Sequence, residues 1–197
     1  MASDQTISRN PRAWRFAAAL LDDAEHVIFR DTDSRISRRE SDAVMQWLDS
    51  GKTLHIMRDH PHHGHAIMAG MWGIKVGEKP KRLIARVLQE ATGEEKPEDQ
   101  QLLETFVYPN FVNDCLAHDS FFRRESSSVR FPNPRQSPAF VGEIIDSHGE
   151  PKTHHRELLQ SYEKSFFRRA RLAILDRIRS RLSKVTKRRL LFLMDTR

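Results

Sequence analysis

One cysteine, Cys115, stands in a chain of 197 residues, so no disulfide can close within it. The N-terminus lacks the basic start and apolar stretch of a signal peptide. Both absences lead to the expectation of a reducing, cytoplasmic setting. No apolar run approaches the roughly 20 residues that cross a bilayer. The longest near the end is Leu190-Leu191-Phe192-Leu193-Met194, and no internal repeat is visible.

What is present is the composition of a folded chain. Charged residues make up 30%, but they are accompanied by 11 Phe and 3 Trp, which a disordered chain does not carry. The length suits one domain with an appended element. The net charge of +6 is unevenly spread: residues 150–197 hold 14 Lys and Arg against 5 Asp and Glu, whereas residues 1–149 hold 19 against 22. This shift divides the chain into a body, 1–149, and a basic tail, 150–197. Any anionic surface is therefore expected to meet the tail.

Along the body, Trp14 to Leu21 reads as a short helix and Val27 to Arg30 as a buried strand. Ser37 lies three residues before Glu40, a capping-box spacing that opens a helix carrying Val44, Trp47 and Leu48, and Ser50-Gly51 stops it. A second strand is expected at Thr53 to Arg58, then a loop through Asp59-His60-Pro61-His62-His63-Gly64-His65. Ile67 to Ile74, with Gly70 and Gly73, reads as a strand beside a cleft. Lys81 to Glu90 and Glu98 to Phe106 read as helices on either side of a break at Gly93 to Pro97. Asn110 to Phe122 reads as strand and turn, Glu125 to Pro138 as a long loop, and Phe140 to Ile145 as a short strand. The alternation of strands and helices predicts an α/β domain.

In the tail, Phe167, Ile174, Leu175, Ile178, Leu182 and Val185 share one helical face. Arg168, Arg169, Arg177, Arg179, Arg181 and Lys184 crowd the remainder, so 166–189 predicts a basic amphipathic helix. Such a helix fits a peripheral contact with the anionic inner face of a membrane, or a core-packed helix with a solvated basic side. A nucleic-acid partner has little support, because no DNA-binding motif is present and aromatics such as Phe166, Phe167 and Phe192 are few.

The chemistry concentrates at Asp31-Thr32-Asp33, where two carboxylates one residue apart close an apolar strand. Hard divalent cations such as Mg²⁺ or Mn²⁺ take such oxygen ligands and bridge to phosphates; an acidic turn before a helix is the plain alternative. Arg30, Arg35 and Arg58 fit bidentate clamps on the phosphates of a nucleotide cofactor or donor, or else surface ion pairs. Asp59, His60 and Trp72 fit the wall of a substrate cleft, the indole suiting a sugar ring or, equally, the core. The histidines of 60–65 also suit a transition-metal site.

The stretch Phe29-Arg30-Asp31-Thr32-Asp33-Ser34-Arg35, with Arg39-Glu40, Trp47-Leu48, His55-Ile56-Met57-Arg58-Asp59-His60-Pro61 and Gly70-Met71-Trp72-Gly73, resembles bacterial GT-A-type glycosyltransferase-like proteins. The likeness resumes at Asp99-Gln100, His118-Asp119-Ser120-Phe121 and Phe140-Val141-Gly142-Glu143. It implies a Rossmann-like mixed sheet flanked by helices. Asp31 and Asp33 would hold Mn²⁺ or Mg²⁺ on the diphosphate of a nucleotide-sugar donor, with His118 as a third ligand. Asp99 would be the base or orienting group beside a glycan or lipid-linked acceptor, as in polysaccharide biosynthesis. Only 30 residues precede Asp31, where GT-A enzymes build most of their nucleotide-binding half. The expectation is therefore a partial GT-A sheet, with the chain a fragment of a longer gene product, or with a homodimer or partner chain supplying the missing half. Two alternatives carry different tests: a non-catalytic binding or assembly domain that retains the fold, and a metal-dependent hydrolase built on the His-rich loop.

Overall fold

The computed structural model describes residues 11–92 and 98–166. It is a mixed α/β fold. A 3₁₀ helix, Pro11–Leu20, leads into β1 (His26–Arg30), α1 (Arg38–Ser50), β2 (Leu54–Arg58), β3 (Met71–Lys75) and α2 (Glu78–Glu90). A continuous helical stretch follows: α3 (Asp99–Leu102), a π-helical turn (Leu103–Val107), α4 (Tyr108–Phe111) and a 3₁₀ turn (Val112–Asp114). Then come β4 (Cys115–Asp119) and β5 (Ser128–Val129), and residues 153–166 are helical.

The five strands form one sheet in the order β1-β3-β2-β4-β5. β3 is antiparallel to both β1 and β2, while β2, β4 and β5 are mutually parallel. β1, β2, β4 and β5 therefore all end at the same edge of the sheet, the edge at which β3 begins.

Strict alternation sorts the central strands between two faces. Leu54, Ile56, Trp72, Ile74, Cys115 and Ala117 pack with Phe16, Phe29, Ile84 and Val87 from the 3₁₀ helix, β1 and α2. The opposite face carries Met57 and Met71 against Ala43, Phe131 and Val141. Register keeps each layer together, with Ile56 beside Trp72 on one side and Ala117 on the other. β2 is buried at every position, as suits a strand covered on both faces.

Most of the expected elements are present, with five differences, the first being that β3 starts only at Met71, since Ile67 to Gly70 is loop and turn. β1 is an edge strand and not a buried one: Phe29 points in, but Ile28 is 40% exposed. Asn110 to Asp114 is helical, so that strand starts only at Cys115. The long loop contains β5, which adds to the parallel side. Phe140 to Ile145 is no strand; two isolated bridges, Ser34 to Ile144 and Ile145 to Pro151, pin it instead. Contacts also cross position 149/150, since Leu159 is fully buried and Arg156 pairs with Glu143. The break at Gly93 to Pro97 and the tail helix beyond residue 166 lie outside the described residues. No described helix is long and apolar enough to cross a membrane.

α1 begins as its capping signal demands. The Ser37 side chain accepts a hydrogen bond from the Glu40 backbone N–H at 3.2 Å, and Gly51 closes the helix at φ 67°, where a side chain would be strained. Glu40 does not complete the box; its carboxylate reaches Arg30 at 2.5 Å instead. Ser37→Ala should cost about 1 kcal/mol, the usual value of a lost N-cap. A thermal melt should then fall by about 2–4 °C, and an unchanged melt would show that the cap is dispensable.

Candidate functional site

The carboxyl edge of the sheet gathers nearly every candidate residue. Asp31 and Asp33 follow β1, Asp59 to His65 follow β2, Gly70 precedes β3, Asp119 ends β4, and Arg130 follows β5.

At the β1 end, Asp31 and Asp33 are both exposed. The Arg15 guanidinium bridges Asp31 at 2.5 Å and Asp99 at 2.8 Å. Two carboxylates 68 positions apart thus face one cation. Asp99 is 7% exposed, and one of its oxygens also accepts the Gln100 N–H at 2.9 Å. Gly70 sits so close that a Cβ there would displace the Asp31 carboxylate from this position, so glycine leaves room for the carboxylate as it is placed. Arg30 is spent locally, on Glu40, the Gly70 carbonyl and the Ser34 hydroxyl, and it holds the β1–α1 turn. Burial raises the Glu40 carboxyl above its ordinary range, against the pull of Arg30 and the Ser37 cap. Arg35 is exposed, with its guanidinium against Gly149.

A cavity of about 190 Å³ opens beside Asp31, between the β1 end and the His-rich loop. His60, His62, His63 and His155 line it, and three of their eight ring nitrogens, both of His60 and Nδ1 of His63, are engaged in hydrogen bonds. His60 Nδ1 accepts the His62 N–H at 3.1 Å, so Nε2 carries the proton and donates to the His155 carbonyl at 2.9 Å. His63 Nδ1 accepts the Asp59 N–H at 3.0 Å. The His60 ring stacks on Phe140 at 4.4 Å. These rings act as packing surface and hydrogen-bond spacers. Among the described residues no group of three or more His, Cys, Asp or Glu is placed to hold a metal.

Three expected site residues turn out to be structural. Arg58 is fully buried and all its arms are used: Asp119 at 2.8 Å, Glu125, and the Ala66 carbonyl. It cannot clamp a phosphate. Asp59, also fully buried, accepts five donors on its two oxygens: Arg39 at 3.0 Å on each, Arg135 at 2.7 Å, the Ser120 hydroxyl at 2.6 Å and the Val141 N–H at 3.1 Å. A carboxylate has about four lone-pair sites, so none is left for a substrate. Burial would raise its pKa, but Arg39 and Arg135 outweigh burial and hold it below the ordinary value. Trp72 is fully buried, stacked on Phe29 at 4.3 Å and edge-on to Phe16 at 5.7 Å. It is a core residue and offers no face to a sugar.

His118 is likewise internal. Its Nε2 donates to Gln46 at 2.9 Å and its Nδ1 accepts from His55 Nε2 at 2.9 Å, which leaves no nitrogen for a metal beside Asp31. Burial drives the pair toward neutrality: His55 lies well below its ordinary value and His118 at about 4.

Several residues at this edge have no signal in the sequence. Arg15 lies in a helix whose charges look solvated, and Arg39 and Arg135 are two arginines among many. Only the fold brings them to Asp31 and Asp59. No family model, curated protein or solved structure matches the chain.

Two outcomes follow. Arg58→Ala leaves Asp119 and Glu125 buried without their counter-charge, which should cost about 3–5 kcal/mol; a urea midpoint close to that of the unsubstituted chain would contradict this. The buried histidines also make stability pH-dependent. His118 at about 4 and His63 at about 3 are neutral when folded but bind a proton near 6.5 when unfolded. The unfolded chain thus binds more protons below pH 6.5, and stability is full above that value and falls as the pH drops. For His118 alone the loss by pH 4 is about 3 kcal/mol, at ~1.4 kcal/mol per unit. Urea midpoints between pH 8 and pH 4 test this, and His118→Gln should flatten the slope.

Proposed function

We propose that this chain is the metal- and acceptor-binding part of a nucleotide-sugar-dependent glycosyltransferase. The observation that carries it is the meeting of Asp31 and Asp99 on one guanidinium, beside a cavity at the carboxyl edge of the sheet. Strand-end carboxylates there are where α/β sheets present ligands. They also match the roles that the family resemblance gives them.

The residues present fit a diphosphate-bridging cation better than an all-protein cage. Asp31 already faces a cation, the Arg15 guanidinium, and Asp33 lies exposed one residue beyond Thr32. Mg²⁺-type sites often use only one or two carboxylates, with substrate phosphates and water completing the shell. Asp31 and Asp33 would hold Mn²⁺ or Mg²⁺, whose chemistry is to offset charge on the departing diphosphate. The Asp31 side chain is 51% exposed, and exposed ion pairs are worth about 0–1 kcal/mol, so Arg15 does not lock it away. Asp99, partly shielded and held by Arg15 and the Gln100 N–H, would orient an acceptor hydroxyl and take its proton. His118, Arg58, Asp59 and Trp72 have no part in this reading. The open side of β1, unpaired among the described residues, is where a second copy or a partner chain would add the donor-binding half.

One observation favours a second reading. Arg15 pairs with both Asp31 and Asp99, an ion-pair arrangement that a non-catalytic binding or assembly domain would also make. Sugar transfer by the purified chain would exclude that alternative.

Isothermal titration of the purified chain with UDP and with GDP, each with and without Mn²⁺, should show metal-dependent binding of one nucleotide. Asp33→Ala should weaken it on the order of tenfold or more, the ~1.4 kcal/mol of one charge-assisted contact. Binding that ignores both the metal and Asp33→Ala would sink the proposal.

A further inference from the structure

The cavity beside Asp31 does not stand alone. A second, of about 320 Å³, shares Phe140 with it and runs past the start of α1 along Asn133 and Pro134. A third, of about 760 Å³, shares Arg39, Asn133 and Pro134 with the second and lies beyond the ends of β4 and β5. Their shared lining places the three side by side along the carboxyl edge, with Asp31 in the first and Arg123 and Arg130 in the third.

Charge is uneven along this row of cavities. Four guanidiniums line its far end, Arg39, Arg123, Arg130 and Arg135, against the carboxylates of Asp119 and Glu163. Those two acids are already satisfied. Asp119 holds Arg58 and the N–H groups of Phe121, Phe122 and Arg123, and Glu163 holds Arg135 and the Ser137 hydroxyl. Arg39 and Arg135 are spent on Asp59. Arg123 and Arg130 are exposed and form no ion pair among the described residues. They are surplus positive charge in a cleft.

The backbone under Arg123 is also held in an unusual state. Its φ is 48°, the sole positive φ at a non-glycine among the described residues, kept by its N–H donating to Asp119 at 3.0 Å. Such a conformation costs energy and is found where surrounding structure over-determines it. Phe121 and Tyr162 also line this end: Phe121 lies under Arg135 at 5.1 Å and meets Tyr162 edge-on at 5.4 Å.

Guanidinium forks suit phosphate and carboxylate groups, and aromatic faces suit sugar rings. We propose that the far end of this row binds a saccharide bearing an anionic substituent, phosphate or carboxylate, through Arg123 and Arg130. This rests on the glycosyl-transfer reading only in naming that saccharide as the acceptor, extended toward Asp31 and Asp99.

The test titrates glucose 6-phosphate, glucuronate, glucose and inorganic phosphate separately into the ¹⁵N-labelled full chain, followed by amide shifts. At least one anionic sugar should bind, moving amides in 119–123 and at Arg130, and more tightly than glucose or inorganic phosphate. Arg123→Gln/Arg130→Gln should weaken it about tenfold. Both side chains are exposed, so the double variant should keep the chain's melting temperature. Failure of both anionic sugars to bind, equal binding of glucose, equal binding of inorganic phosphate, or binding unchanged in the double variant would each overturn the proposal. No nucleotide or metal enters these titrations. Loss of nucleotide binding in the chain therefore defeats the donor reading alone, and loss of sugar binding defeats this one alone.

Discussion

The Asp59 carboxylate has no solvent and no spare lone pair, and five donors converge on it from four separate segments. Arg39 ties it to the first turn of α1, Ser120 to the turn after β4, Arg135 to the long loop, and Val141 to the segment that bridges back toward Ser34. An ionised carboxylate is costly to bury unless fully paired, and this one is paired only if all four segments are in place. Asp59 therefore acts as a register pin for the carboxyl edge. Arg58, one residue earlier, does the same with the charges reversed, clamping Asp119 and Glu125 beneath the turn that presents Arg123. The two residues point to opposite faces of β2 and fasten its end from both sides.

That arrangement explains why a histidine-rich loop need not be a metal site. A loop carrying His60, His62 and His63 must still satisfy its backbone. Here the imidazoles do so, accepting the N–H groups of His62 and Asp59. Burial then lowers the pKa of His60 and His63, the latter to about 3, which is compatible with the stacking of His60 on Phe140 and the edge contact of His63 with it. The His55–His118–Gln46 chain uses the same logic inside the sheet, where neutral rings pass a hydrogen bond from β2 through β4 to α1.

Local patterns were legible and long-range pairing was not. Ser37, Glu40 and Gly51 announced α1 to the residue, because capping depends on neighbours within one turn. Apolar runs located β1, β2, β3 and β4 within a few residues, since alternation is a local property. Position in the sheet was hidden: Val27 to Arg30 reads as buried, but nothing in five residues says that β1 lies at the edge. Charged residues were the hardest. Arg58 and Asp59 look like site residues for the same reason that they are structural: both are charged groups at the end of an apolar strand. Partners 20 to 82 positions away separate the two cases. Arg15, the group that joins Asp31 to Asp99, carried no local signal at all.

Directionality of the sheet is what turns these scattered groups into one surface. β3 alone runs against the other strands, so its start, not its end, meets their carboxyl ends. Gly70, at that start, leaves the space that Asp31 takes up. A strand of the opposite sense would have placed Lys75 at this edge and added a cation beside Asp31. With the observed sense, Lys75 is sent to the far edge and the polarity of the near edge is left to the loops. Those loops set an uneven field: acidic at Asp31, Asp33 and Asp99, against the single Arg15, and basic at Arg123 and Arg130. Such a field favours a ligand whose two ends differ in charge, with its cationic end at β1 and its anionic end beyond β5.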